Sequence, residues 1–178
     1  MSNITAGTWV LDPTHTEIGF SVRHIMSKVR GKFETFEGTL VTAEDITAST
    51  VSVSVDLSSI NTGTADRDNH LRSGDFFNVE THPTMTFSTT AVAQNSDTDF
   101  VVTGDLTIKD VTKSIDLAVE FLGEGADPWG GTRVGVEASA VISRKDWGID
   151  FNIPLEGDKV MIGDKITITI NAEAVLQA

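Results

Sequence analysis

Apolar residues recur at every second position through most of the chain, the period that gathers them on one face of a β-strand. Over residues 16–24, Ile18, Phe20, Val22 and His24 fall on one side, and Glu17, Gly19, Ser21 and Arg23 on the other. Over residues 49–57, Val51, Val53, Val55 and Leu57 stand against Thr50, Ser52, Ser54 and Asp56. The same alternation aligns Phe100, Val102, Leu106 and Ile108, with Gly104 in the row as a close approach or a bend. It continues with Ile115, Leu117, Val119 and Phe121, with Val134, Val136, Ala138, Ala140 and Ile142, and with Ile166, Ile168, Ile170, Ala172 and Ala174. Residues 31–41 and 84–92 are strand-like but less regular. About eight antiparallel strands are therefore predicted. The breakers expected between strands stand at 42–45, 95–97, 128–131 and 156–158.

A sheet with one apolar face must cover it. With few helical residues to do so, the sheet must close on itself or fold into a sandwich. The stretch from 60 to 83 breaks the strand pattern. Ala65, Asn69 and Arg72 share a helical side, and Ser73 reads as the N-cap of a second turn through Asp75 to Asn78. Two short helices over about 62–80 are predicted, capping one end of the closed sheet.

Composition narrows the function classes. A chain of 178 residues suits one domain, 1–178, with a sizeable core. Thirteen basic against 26 acidic side chains give a formal charge of −13, which repels phosphate backbones and anionic lipid surfaces. Nucleic acid and stable membrane insertion are not expected. Cysteine is absent, which excludes disulfides, thiolate metal sites and cysteine nucleophiles. Met1 leads through Ser-Asn-Ile-Thr-Ala-Gly into an apparent strand, with neither a basic n-region nor an apolar run, so a cytoplasmic protein is expected.

Reactive chemistry finds little support. The histidines at 15, 24, 70 and 82 lack H-x-x-x-H and H-E-x-x-H spacing, no serine lies in G-x-S-x-G, and neither a metal nor a cofactor is called for. His15 follows Asp12 in a turn whose carboxylate caps backbone amides. His24, at the end of an apolar face, is expected near a rim, satisfied by a neighbour or touching a ligand head group. In R-D-N-H-L-R-S-G-D-F-F, residues 67–77, Arg–Asp pairs would fasten the helical segment while Leu71, Phe76 and Phe77 drop into the opening. The rival reading makes Arg67, His70 and Asp75 a reactive group. Trp147 and Ile149 share a side and line the opening or plug it. An eight-stranded barrel is either filled by side chains or left open for one ligand. Inward rings at Phe20, Phe33, Phe36, Phe87 and Phe100 are compatible with both.

Four segments together resemble the YceI-like, polyisoprenoid-binding family: DPTHTEIGFSVRH, GKFETFEG, SINTGTADRDNHLRSGDFFNVETHPTMTF and GDLTIKDVTKSIDL. The resemblance runs from about residue 8 to the C-terminus. It implies a lipocalin-like, eight-stranded antiparallel barrel. Its elongated apolar pore would bind, carry or sequester a polyisoprenoid or similar long-chain amphiphile, such as an isoprenoid quinone, without catalysis. The residues expected to touch that ligand are Ile18, Phe20, Val22, His24, Phe33, Phe36, Leu71, Phe76, Phe77, Phe87, Phe100, Trp147 and Ile149. Relatives also make a homodimer an option. A stress-response interaction module with a filled barrel remains the non-lipid alternative. Asp110 stands where the family commonly has glycine, and Asn78 where an aspartate often follows the two phenylalanines.

Overall fold

A computed structural model of the chain describes residues 4–155 and 161–178. The predicted turn at 156–158 lies outside these described residues. The alternating segments form strands: β1 (Gly7–Leu11), β2 (Glu17–His24), β3 (Ser27–Phe33), β4 (Phe36–Thr42), β5 (Thr50–Asp56), β6 (Ile60–Asn61), β7 (Thr84–Gln94), β8 (Asp99–Ile108), β9 (Val111–Ala126), β10 (Thr132–Ser143) and β11 (Ile162–Leu176). Eight of them close a ring in the order β1-β4-β5-β7-β8-β9-β10-β11, with β11 returning to β1, and every pairing is antiparallel. Toward one end, β2 replaces β1 beside β11, β3 pairs with β2, and β6 pairs with β3. Thus β1 and β2 are halves of one bent path, as are β3 and β4, and β5 and β6. Closure leaves the apolar face inside, where no edge strand and no second layer is required.

The breaks in those paths have local causes. Pro13 brings no N–H to a ladder, and Asp12 Oδ1 accepts from the Thr14 amide at 3.0 Å, which turns the chain through Pro13–His15 between β1 and β2. The stretch 31–41, expected as one strand, is split at Glu34 and Thr35. There the Ser59 hydroxyl accepts from both amides, at 3.1 and 3.0 Å, and takes the place of ladder partners. Bulges between Thr89 and Ala91 and at Gly135/Val136 bend the long strands into the ring.

The two predicted helices reduce to one, α1 (Ala65–Arg72). Residues 74–77 form a turn. The Phe76 and Asn78 amides both donate to the Ser73 carbonyl, at 3.1 and 2.9 Å, and Asn78 adopts φ +50°, so the chain folds back and no second helix begins. Ser73 therefore caps the end of α1: its hydroxyl donates to the His70 carbonyl. The Arg–Asp pairs expected here do not form. Arg67 donates to the hydroxyl and carbonyl of Thr62, both at 2.7 Å, and Arg72 donates to the carbonyls of Ser58 and Ile60. Asp68 accepts from the Thr62 amide at 2.9 Å. Backbone groups left without a ladder where β6 ends need partners, and the branched donor set of arginine supplies several at once.

The departures at Asp110 and Asn78 also make local sense. Lys109 and Asp110 form the two-residue turn between β8 and β9 with φ +54° and +64°, a geometry that glycine, asparagine and aspartate accept most readily. Among the described residues no helix is long and apolar enough to cross a membrane.

Candidate functional site

The ring encloses a cavity of about 650 Å³. Its wall is built from the alternating apolar faces, among them Val51, Val53 and Val55 of β5, Ile115, Leu117 and Val119 of β9, and Ile166, Ile168 and Ile170 of β11. A void of this volume, lined by aliphatic groups, favours a hydrocarbon guest. The solid, ring-filled interior that the strand pattern also allowed is not what forms.

Glycines explain how so many aromatic rings leave room. Phe20 on β2 lies over Gly31, its cross-strand partner on β3, close enough that a Cβ at that glycine would collide with the ring. Phe87 on β7 lies over Gly104 in the same manner, and Leu11 over Gly38. Each missing side chain gives its neighbour a shelf on the wall, so the ring lies along the sheet and does not cross the lumen.

Of the residues expected to touch a ligand, Ile18, Phe20, Val22, His24, Phe33, Leu71, Phe76, Phe77, Phe87, Phe100, Trp147 and Ile149 border the cavity. Phe36 does not. It begins the strand beyond the Glu34–Thr35 break and packs instead against the cluster of Ile18, Phe33 and Val55. Trp147 is both plug and wall: it is 2% exposed, and its indole N–H donates to the Leu106 carbonyl at 2.9 Å.

The two ends differ. At the β1 end Trp9 is fully buried among Val134, Ala174 and the partly buried Leu40 and Phe121. Its indole N–H donates to the Thr42 hydroxyl at 3.0 Å, which in turn donates to the Thr5 carbonyl at 2.7 Å. Outside this plug, Arg133 joins Asp12 at 2.6 Å and Asp127 at 2.8 Å. The Thr14 hydroxyl, Arg133 and His15 hold the Asp12 carboxyl far below the usual carboxylate range. The Gly131 amide, then Arg133 and the Trp129 amide, lower that of Asp127. Asp12, His15 and Glu173 bring three donor atoms within 4.8 Å of one another. The Arg133 guanidinium, 2.6 Å from Asp12 and 3.6 Å from Glu173, already supplies the positive charge there.

At the α1 end the lining includes the exposed residues Asp66 and His70, so the cavity opens there. His24 is half-buried on the same rim, and its ring has no hydrogen-bond partner among the described residues. The expectation that a neighbour would satisfy it is thus overturned, because β2 carries the ring into the opening. His70 Nε2 lies 2.8 Å from Asp75, and its ring sits edge-on to Phe76 and Phe151 at 5.0 Å from each. Arg67 is turned to Thr62, so Arg67, His70 and Asp75 do not converge on one point.

Arg144 holds the remaining side of the opening. It is 5% exposed, and its guanidinium donates to the carbonyls of Gly163, Ile149 and Phe151 at 2.9, 3.0 and 2.9 Å. Burial pushes its pKa down, while Asp164 and Asp150 pull the other way. Nothing in the sequence singled out Arg144, Met85, Met161 or Asp66. The first opens a short charged run after a strand, and only the positions of Ile149, Phe151 and Gly163 show what it binds.

A profile of the YceI-like domain matches residues 9–174. Protein YceI of Escherichia coli is 38% identical over 165 residues, covering 92% of this chain and 83% of that protein. The crystal structure of the Campylobacter jejuni YCEI protein aligns with a TM-score of 0.74 and 29% identity, covering the whole of both chains. A polyisoprenoid binding domain from Saccharophagus degradans, implicated in plant cell wall breakdown, aligns with a TM-score of 0.70 at 18% identity, over 97% of this chain and 100% of that one.

Proposed function

Because this chain belongs to the YceI-like family, we propose that it binds one polyisoprenoid or similar long-chain amphiphile in the barrel and carries or sequesters it without chemical change. The observation that carries this reading is an apolar lumen bordered at its α1 end by exposed polar residues. A hydrocarbon tail would fill the lumen from the α1 end. Its head group would remain near His24, whose ring has no other partner among the described residues. The likeness to a domain described as polyisoprenoid-binding supports the same ligand class. An isoprenoid quinone, whose carbonyls accept a hydrogen bond from an imidazole, is the form of head group we favour.

Binding energy and selectivity follow from the wall. At ~0.8 kcal/mol per buried methylene a chain of about forty carbons would nominally contribute ~30 kcal/mol, above the ~20 kcal/mol at which non-covalent affinity saturates. Ordering a flexible chain offsets much of that. Neighbouring chain lengths therefore differ little, and the cavity selects for apolarity more than for identity. Arg67 and His70 are committed to Thr62 and Asp75, which supports holding a ligand over turning it over.

The test is solvent extraction of purified protein followed by mass spectrometry, with uptake of a fluorescent polyprenol by extracted protein. Wild type is expected to yield a long-chain species and to take up the probe. Ala138→Phe, which adds a ring to the lumen wall, should lose uptake while keeping its circular dichroism spectrum. No long-chain species together with no probe uptake by wild type overturns the carrier reading.

A further inference from the structure

The hairpin between β2 and β3 ends at the open mouth with two apolar residues in water. Met26 is 89% exposed and Ile25 51% exposed, and Ile25 is a β-branched residue held at φ +54°, where such side chains are rare. The Ile25 amide donates to the Met161 carbonyl at 2.8 Å, and the Met161 amide donates to the Ile153 carbonyl at 3.1 Å. Ile153 is itself 45% exposed. Three exposed apolar side chains thus share one rim, beside the lining residues His24 and Met161.

Directly behind this rim lies a row of cations. Arg23 stands opposite Lys28 in the ladder, and Arg30 opposite Ser21. Lys165 adjoins them on β11, one place before Ile166, the partner of Val22. All four are exposed, and none has an ion pair among the described residues. Like charges directly opposite one another in a ladder oppose folding, so the row is maintained against a local cost.

Acids at the mouth, among them Asp75 and Asp164, face His70, Arg144 and Lys145, and none pairs with the four cations among the described residues. The loops of the Trp9 end carry Glu44, Asp45, Asp97 and Asp127 and contain no lysine or arginine. Arg133 beside them is taken up by Asp12 and Asp127. An anionic surface would therefore be repelled by the loops of the plugged end and attracted by this local row of cations beside the mouth.

We propose that the rim formed by Ile25, Met26 and Ile153, backed by Arg23, Lys28, Arg30 and Lys165, docks the barrel mouth-first on an anionic lipid bilayer. The apolar tip enters the boundary between head groups and acyl chains while the cations meet the anionic head groups. Docked in this way, the mouth faces the membrane, and an amphiphile can pass between bilayer and lumen without crossing water. The interaction is peripheral and reversible, since the apolar tip is small. It rests on the carrier reading for its purpose, while its evidence is the tip and the charge row.

The experiment is flotation of the purified full chain with phosphatidylcholine vesicles that contain or lack phosphatidylglycerol, at low and high salt. Wild type is expected to float with phosphatidylglycerol vesicles at low salt and to be released by high salt. Each of Arg23→Gln, Lys28→Gln and Lys165→Gln should weaken binding roughly fivefold, and Met26→Asp should weaken it further. The lipid extracted from each variant should match that from wild type, because none of the four touches the lumen, so failure of docking and failure of the carrier reading are read separately. Absence of binding by wild type overturns docking, as does equal binding by all charge variants. So does a Met26→Asp variant that changes the sedimentation mass without changing vesicle binding, which would make the tip a contact between two copies of the chain.

Discussion

The two ends of the barrel are made from the same alternating strands, yet they are closed by different physics. At the β1 end a single indole fills the bore. Trp9 sits among Val134, Val136 and Ala174, small or branched residues that leave a ring-sized space. The α1 end is held by polar stitches. Arg67, Arg72 and Arg144 reach from an eight-residue helix and a tight turn to backbone carbonyls that the strands no longer satisfy. A packed ring closes permanently, whereas hydrogen bonds around an opening fix its outline and leave it passable. The contrast teaches why the entrance lies where strand pairing stops.

The largest expected effect is at the plug. Trp9→Ala should cost about 3–5 kcal/mol, the range for deleting a large buried ring, and leave the Thr42 hydroxyl with the Gly7 amide as its remaining donor. Thermal unfolding measures the loss, and a lumen open at both ends should also release polyprenol faster. If the stability of the variant matched that of wild type, the division between plug and mouth would be wrong.

Next comes the mouth. Arg144→Leu keeps the bulk of the side chain but strips donors from the carbonyls of Ile149, Phe151 and Gly163. Groups of this kind left buried and unpaired cost about 1–3 kcal/mol each, in part recovered by water at a rim. A loss of about 3 kcal/mol is expected. It should appear as hydrogen exchange concentrated at 149–155 and 161–164, with the strands near Trp9 protected as before.

The smallest effect is one of pH. The Asp12 carboxyl is held below its unfolded value, so it stabilises the fold above an unfolded pKa of about 3.9 and loses that contribution progressively as the pH falls toward the folded value. Asp12→Asn should therefore be less stable than wild type by about 1 kcal/mol at neutral pH, with the difference shrinking below about pH 4. Denaturant melts at pH 7 and pH 3 check the sign. A gap that widened in acid would remove Asp12 from the bracing of the plugged end.

Much of the fold was legible because period two is a strong signal. The faces read from residues 100–108, 115–121 and 166–174 are the faces that line the cavity. Their inward aliphatic residues also gave the character of the site. Two features were hidden. The splits at Pro13–His15 and Glu34–Thr35 depend on hydrogen bonds made by a nearby carboxylate and by the distant Ser59 hydroxyl. The second helix was expected from local spacing alone, and the competing bonds to the Ser73 carbonyl prevented it. Part of the mouth was hidden for the same reason: His24, Leu71 and Phe76 were expected there, but Arg144 and Met161 are unremarkable in sequence and become rim residues only through their bonds to Ile149, Phe151 and Ile153.

The shelves at Gly31 and Gly104 make the bore adjustable from within the wall itself. A single methyl group added at either backbone position would evict a phenyl ring into the channel, so a change of one carbon there would restrict cargo as strongly as replacing an inward aliphatic residue by an aromatic one. Related barrels can thus change the width of what they admit without altering any residue that meets the guest.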